Sequence, residues 1–347
     1  MSRTKFLLLA AVLLLVVLLI SACAAPQSPA MKEEKEKVSE EKKAEKAQAP
    51  VVLTAVSSFN RDALEHEGFW IFVDKLEQIG QGRVQIDYRG GPEVIPPLEQ
   101  ADALKTGIID IFTGPEAYYP HLVPEVMIFK LTPFTPWEER ENGCYDLFNQ
   151  IHQEKLNAYY LGKTLTGIPY HLFSNKPINK ADLKGITLRV SATYKAMVDE
   201  LGGAPLSIPG GEVYTALERG VVDGFGWAGI GIIGAGWHEV TKYEIDPGFY
   251  NASTVTLVNL DTWNNLPKDV QEILNKAMVE AERDIHARYV KMYQDERKAR
   301  RDGGMELITL TGVEAEKYLK AAYDKGWKEV IDKNPDYGPR FKELMYK

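Results

Sequence analysis

A segment that occurs twice constrains this chain more than any other feature. Pro96-Pro97-Leu98-Glu99 leads to Ala103-Leu104-Lys105-Thr106-Gly107-Ile108-Ile109-Asp110, and Pro209-Gly210-Gly211-Glu212 leads to Ala216-Leu217-Glu218-Arg219-Gly220-Val221-Val222-Asp223. Pro, Glu, Ala, Leu, Gly, two β-branched residues and Asp recur at identical spacing. Each copy reads as a loop that opens a short helix, with a Glu at the positive end of the helix dipole. Gly107 and Gly220 stand where a left-handed residue stops a helix. The β-branched pair and Asp then start a buried parallel strand, continued by Ile111-Phe112 and Gly224-Phe225. Either these are two joints of a kind any α/β protein contains, or the chain has two similar lobes with a cleft between them, a common place for a ligand.

Periodicity fills in the rest. Val51–Val56 and Val84–Tyr88 read as strands on either side of a helix from His66 to Gln78. Met127–Leu131 is a strand or turn, and Trp137–Leu156 a helix. Tyr159–Leu161, Thr166–Ser174, Gly185–Val190 and Thr254–Asn259 are strand-like, and Tyr194–Leu201 is helical, stopped by Gly202-Gly203. Pro267 suits the first turn of a long helix running towards Arg301. A further helix from Val313 packs through Trp327 and Val330.

The N-terminus is of a different kind. Arg3 and Lys5 precede the apolar run Phe6–Ile20 and the small residues Ser21 and Ala22. That order is a secretory signal, residues 1–22. A plain membrane anchor is the other reading, although the run is short of the about 20 residues of a span. Ile20-Ser21-Ala22-Cys23 resembles a bacterial lipobox, which makes Cys23 the lipidated first residue of the mature chain and an anchor to the membrane. With Cys23 lipidated, Cys144 has no disulfide partner within the chain, so the fold must stand on its core. Residues 23–50 are rich in Lys, Glu and Ala and bury too little to fold, so they read as a tether. Residues 51–335 form the folded body and 336–347 a tail.

Composition removes several functions. A net charge of −8 with no basic stripe argues against nucleic acid. His66, His121, His152, His171, His238 and His286 are scattered without metal-protease spacing, and there is no nucleophile elbow or phosphate-cradling loop. The Gly-rich stretch 226–236 lacks the context of a nucleotide fingerprint and reads as a close-packed wall. The sequence therefore predicts no enzyme, cofactor or metal.

Lys184-Gly185-Ile186-Thr187-Leu188-Arg189-Val190, Leu201-Gly202-Gly203-Ala204-Pro205, the second repeat, and Thr262-Trp263-Asn264-Asn265-Leu266-Pro267 together resemble the solute receptors of tripartite ATP-independent periplasmic (TRAP) transporters, the DctP type. Tyr118-Tyr119 after the first repeat also fits. The resemblance spans residues 51 to 335. It implies an α/β, two-lobed periplasmic-binding-protein-like fold with a hinge and long C-terminal helices bracing both lobes. It also implies a small carboxylate solute, separate membrane subunits as partners, and an extracytoplasmic place on the periplasmic side or cell surface. Homodimers occur in part of the family. A receptor for an ATP-driven importer and a secreted α/β enzyme acting on a small acid are the alternatives.

Arg189 leads the candidate binding residues. It ends a strand, where open α/β sheets place ligand contacts, and its fork matches a carboxylate; the matching Arg of the family clamps the ligand. Trp227 resembles the pocket Trp of the branch that binds 2-oxo and hydroxy acids. Glu116, Tyr118 and Tyr119 fall by analogy on the same cleft edge. Phe59, Asn60, Tyr170 and Phe249 are further candidates, with His171 beside Tyr170. Some relatives hold a cation near the segment Pro247–Tyr250, followed by Glu; Asn251 stands there in this chain, and an amide is a poorer ligand for a hard cation.

Overall fold

The computed structural model describes residues 49–208 and 210–345. The signal sequence, Cys23, nearly all of the tether and Pro209 lie outside the described residues. Parallel strands open the body: β1 (Val51–Ser57) lies between β2 (Val84–Gly90) and β3 (Ile111–Gly114), joined by helices α1 (Glu67–Gly80) and α2 (Gln100–Lys105). A 3-10 stretch, Pro124–Leu131, precedes α3 (Pro136–Asn142) and α4 (Cys144–Leu156), then β4 (Ala158–Ser174). Next come β5 (Thr187–Val190), α5 (Lys195–Glu200), β6 (Ala204–Ser207), α6 (Val213–Glu218), β7 (Gly224–Ala228) and β8 (Tyr243–Asn259). The chain closes with α7 (Leu260–Asn265), α8 (Lys268–Asp302), β9 (Glu306–Thr309), α9 (Gly312–Lys333) and α10 (Gly338–Met345).

The strand order is β2-β1-β3-β8-β4-β7-β5-β6, with β9 against β8. The long antiparallel strands β4 and β8 belong to both lobes. Their Tyr159–Leu165 and Thr254–Val258 segments complete the sheet of β1–β3, and their Tyr170–Ser174 and Tyr243–Phe249 segments complete that of β5–β7 and β9. Between the two stretches the register slips around Ile168, beside Gly167 at φ +80. A slipped ladder keeps fewer regular bonds than a continuous one, so the lobes hinge there.

The repeat proves to be a structural unit. Gly107 and Gly220 take φ of +74 and +67 and stop α2 and α6. Asp110 and Asp223 then perform the same task in the two lobes. Asp110 Oδ2 accepts the N–H of Thr54 at 2.9 Å, and Asp223 Oδ2 accepts the N–H of Thr187 at 2.8 Å. Each carboxylate ties its own strand to the parallel neighbour, β1 or β5. One expectation needs correction. The β-branched pairs do not open the strands, which begin at Ile111 and Gly224. Ile109 and Val222 are buried, whereas Ile108 and Val221 are exposed, because the chain is still turning out of the glycine.

Other differences have local causes. The helix expected over Trp137–Leu156 breaks into α3 and α4 at Gly143, φ +90. The two strand segments expected at 159–161 and 166–174 are one strand, β4, and Thr254–Asn259 is the end of β8. Met127–Leu131 is 3-10 helix. The segment read as a tail carries α10, whose buried Phe341 packs on Phe148 at 4.5 Å between ring centroids.

The C-terminal helices clamp both lobes. Along α8, Asp269 pairs with Arg83 at 2.7 Å, Glu282 with Arg140 at 2.9 Å, and the Tyr289 hydroxyl donates to the Leu64 carbonyl at 2.9 Å, all in the first lobe. About two to three turns later, Arg297 and Arg300 reach Glu244 of β8 in the second lobe, at 3.1 and 2.9 Å. In α9, Glu314 accepts the Ala181 N–H at 2.7 Å and Lys325 pairs with Glu200 at 2.8 Å, while Gly326 lies against Leu131 of the first lobe. Trp327 and Val330 are buried, as expected. Among the described residues no helix is long and apolar enough to cross a membrane.

Candidate functional site

The short strand β5 lies between β7 and β6, with Arg189 opposite Phe225 and Leu206. Its side chain is only 6% exposed. Nε donates to the Ile208 carbonyl at 2.8 Å, and one terminal nitrogen donates to the Tyr194 hydroxyl at 2.8 Å and to the Gly226 carbonyl at 3.4 Å. Tyr194 in turn donates to the Gly226 carbonyl. The guanidinium carbon stands 5.0 Å from the centroid of the Trp227 ring. Every one of these partners is neutral, and among the described residues no carboxylate forms an ion pair with Arg189. A buried charge without a counter-charge is costly.

The absence of a side chain on Gly226 permits this arrangement. A Cβ there would lie 2.3 Å from the Tyr194 ring. Tyr170, on β4 at the hinge, is 5.7 Å from Tyr194 and 6.3 Å from Phe249 between ring centroids. Phe249 is itself buried behind them. Tyr118 is half-buried at the end of a 3-10 turn, Glu116–Tyr118, in the first lobe. Burial raises the pKa of both Tyr118 and Tyr170, and the Arg189 charge acts in the opposite sense on each. Both hydroxyls therefore lie in the field of that guanidinium. Arg189, Trp227, Tyr118, Tyr170 and Phe249 are thus brought together from both lobes and the hinge.

Glu116 is buried close by and accepts from the Ser253 hydroxyl at 2.9 Å; its other oxygen has no partner among the described residues. Burial pushes its pKa up to about 7.

Tyr119 is not at the site. Its ring is fully buried in the first lobe, edge-on to Phe112, and its hydroxyl is bonded to His152 Nε2 at 3.0 Å. The 3-10 turn sends Tyr118 and Tyr119 in different directions, which adjacency in sequence did not reveal. Phe59 is half-buried with its carbonyl against Gly91, and Asn60 is exposed. Neither is joined to the Arg189 group by a hydrogen bond or ring contact among the described residues. His171 bonds the Ile245 carbonyl at 3.0 Å and the Tyr293 hydroxyl at 2.8 Å, inside the α8 clamp.

His171, Glu244 and Asp246 bring three ligand-type atoms together. Their carboxylates are already engaged by Arg297 and Arg300, so the donor set belongs to an ion-pair network and does not suit a cation. Asn251 donates its amide to the Thr132 carbonyl at 2.5 Å.

Two residues escaped the sequence reading. Tyr194 orients Arg189 from a loop, and no spacing rule links them. Lys130 is buried, donates to the Thr193 carbonyl across the lobes, and stands 4.8 Å from the Tyr250 ring centroid; desolvation lowers its pKa to about 8. A lone Lys in the apolar run Met127–Leu131 was a usable signal of a buried charge.

The chain matches the bacterial extracellular solute-binding protein family 7, DctP, over residues 56–334. The monocarboxylate 2-oxoacid-binding periplasmic protein of Nostoc sp. is 24% identical over 280 residues, covering 78% of this chain and 75% of that protein. The C4-dicarboxylate-binding periplasmic protein DctP of Rhodobacter capsulatus is 25% identical over 246 residues, covering 67% of this chain and 72% of that protein. A solved TRAP transporter solute binding protein from Bordetella bronchiseptica, with copurified calcium and picolinate in its active site, superposes with a TM-score of 0.72 at 21% identity, covering 86% of this chain and 92% of that one. That likeness is one of fold.

Proposed function

We propose a function on the premise that the chain belongs to bacterial extracellular solute-binding protein family 7, the DctP family: it is the extracytoplasmic receptor of a tripartite ATP-independent transporter, and it carries a small organic acid, held by its carboxylate, to the membrane subunits. Arg189 carries the reading. Its guanidinium is nearly buried, fixed by three neutral acceptors and unpaired, which is the arrangement an anion would complete. Trp227, Tyr170 and Tyr118 supply a wall that is apolar in body and polar at its tips. Relatives named for 2-oxo acids and C4-dicarboxylates agree with a carboxylate as the common element. Hinge closure excludes water and strengthens the Arg189 contact without transforming the solute.

Cys23 is the proposed lipid attachment and residues 24–50 the spacer that holds the body off the membrane. Replacing Cys23 by Ala should move the protein from the membrane to the soluble fraction.

The test of the binding function is calorimetry against 2-oxo acids, C4-dicarboxylates and aromatic acids such as picolinate. Wild-type protein should bind at least one class, and folded Arg189→Ala should show no measurable affinity, since stripping a partner from a buried charged contact costs about 2–5 kcal/mol or more. Unchanged affinity in that variant would remove Arg189 from the site and the proposal with it.

A further inference from the structure

We propose that Glu65 is a second recognition point of this site, and that the acid it takes carries a hydrogen-bond donor, hydroxyl or ammonium, away from the carboxylate held by Arg189. The inference rests on the receptor function proposed above and narrows its solute class.

Glu65 lies in a 3-10 turn, Leu64–His66, between β1 and α1 of the first lobe. Both neighbours are pinned. Leu64 accepts from the Tyr289 hydroxyl at 2.9 Å, and His66 Nδ1 meets Ser57 Oγ at 3.0 Å. The turn is therefore fixed on both sides of Glu65, and the carboxylate reaches Gly231, between β7 and β8 of the second lobe. A Cβ on Gly231 would stand 3.0 Å from Glu65 Oε1 and 4.0 Å from Trp227 Nε1. Gly231 itself has φ +82, a conformation that favours glycine.

Glu65 and the nitrogen edge of the indole whose face receives Arg189 thus border the same glycine, Gly231. Tyr118 feels both charges, Arg189 lowering and Glu65 raising its pKa. Yet Glu65 and Arg189 form no ion pair. Among the described residues the Glu65 carboxylate takes no hydrogen bond beyond that of its own backbone, and the Trp227 N–H donates to nothing. Burial, with Glu296 nearby, raises the pKa of Glu65, which is the state of a carboxylate short of donors.

A cation over the Trp227 ring and a carboxylate at the neighbouring Gly231 fit a solute with opposite ends. A carboxylate faces Arg189, and a donor faces Glu65. A dicarboxylate would set its second anion against Glu65 and be rejected by repulsion and desolvation.

Calorimetry would use wild type, Glu65→Gln and Arg189→Ala, each checked for folding by circular dichroism. The probes are gluconate, pyroglutamate and 4-aminobutyrate, each against a counterpart lacking the donor, with succinate and glutarate as diacids. A donor-bearing probe should bind wild type about tenfold or more tighter than its counterpart. Glu65→Gln should collapse that ratio, most of all for the ammonium acid, and leave the counterpart's affinity alone; Arg189→Ala should weaken every acid. If acids bind through Arg189 but diacids are preferred, or the ratio survives Glu65→Gln, the Glu65 assignment fails and the receptor function stands. If no acid binds wild type, both fail.

Discussion

Arg189 faces the Trp227 ring at 5.0 Å from guanidinium carbon to centroid, while its own hydrogen bonds run to Ile208, Tyr194 and Gly226. The ring takes up one side of the cation, and neutral oxygens take up part of its edge. The cation is thereby fixed before any solute arrives, so a carboxylate need not order it. Cation–π contact of this kind contributes about 0.5–2 kcal/mol and leaves the charge itself uncancelled.

Arg189→Lys is expected to bind weakly. An ammonium is a point charge and cannot serve Ile208 and Tyr194 together while presenting two parallel donors to a carboxylate. Calorimetry should rank wild type above Lys and Lys above Ala, with wild type to Lys spanning about tenfold or more. Equal affinity of the Lys variant would show that charge alone suffices.

Gly226→Ala should damage binding from a position with no contact to the solute. The new methyl would stand 2.3 Å from the Tyr194 ring, and overpacking of this kind costs about 1–3 kcal/mol. Displacing Tyr194 removes a bond that orients Arg189. Thermal unfolding and calorimetry should move together; a variant with normal affinity would mean that Tyr194 does not position the cation.

The Lys163–Glu139 pair, 2.6 Å long and almost wholly buried, joins β4 to α3. Glu139→Gln leaves a buried ammonium unpaired and should cost about 3–5 kcal/mol in urea unfolding. Adding Lys163→Met should recover most of that loss. A double variant no more stable than the single one would contradict the assignment.

The pH profile of stability has a component from Glu116. Its pKa in the fold, about 7, lies above the ordinary 4.5, so the folded protein holds a proton that the unfolded chain has lost between those values. That contribution is complete below about pH 4.5, falls as pH rises through the window, and levels above 7 at a loss of about 3 kcal/mol. His66 and His152, each lowered to about 4 by burial, act oppositely, adding stability as pH rises from about 4 to 6.5. The difference between Glu116→Gln and wild type isolates Glu116. The variant's relative stability should climb across the window, and a flat difference would exclude titration there.

What the sequence by itself determined was local and periodic. The repeated helix-to-strand unit, the glycine stops at Gly107 and Gly220, the length of α8 and the end-of-strand place of Arg189 all follow from residue spacing and backbone preference. Those are short-range quantities, so sequence order carries them. The tertiary structure decided which side chains meet. It sent Tyr119 into the first lobe's core while leaving Tyr118 in the field of Arg189, and it made one hinge strand of two segments by pairing β4 with β8. It also set Glu65 against Gly231, across a separation in sequence that no pattern spans. Such contacts depend on where a slipped ladder and a turn of helix point a side chain, and only the packed lobes define that direction.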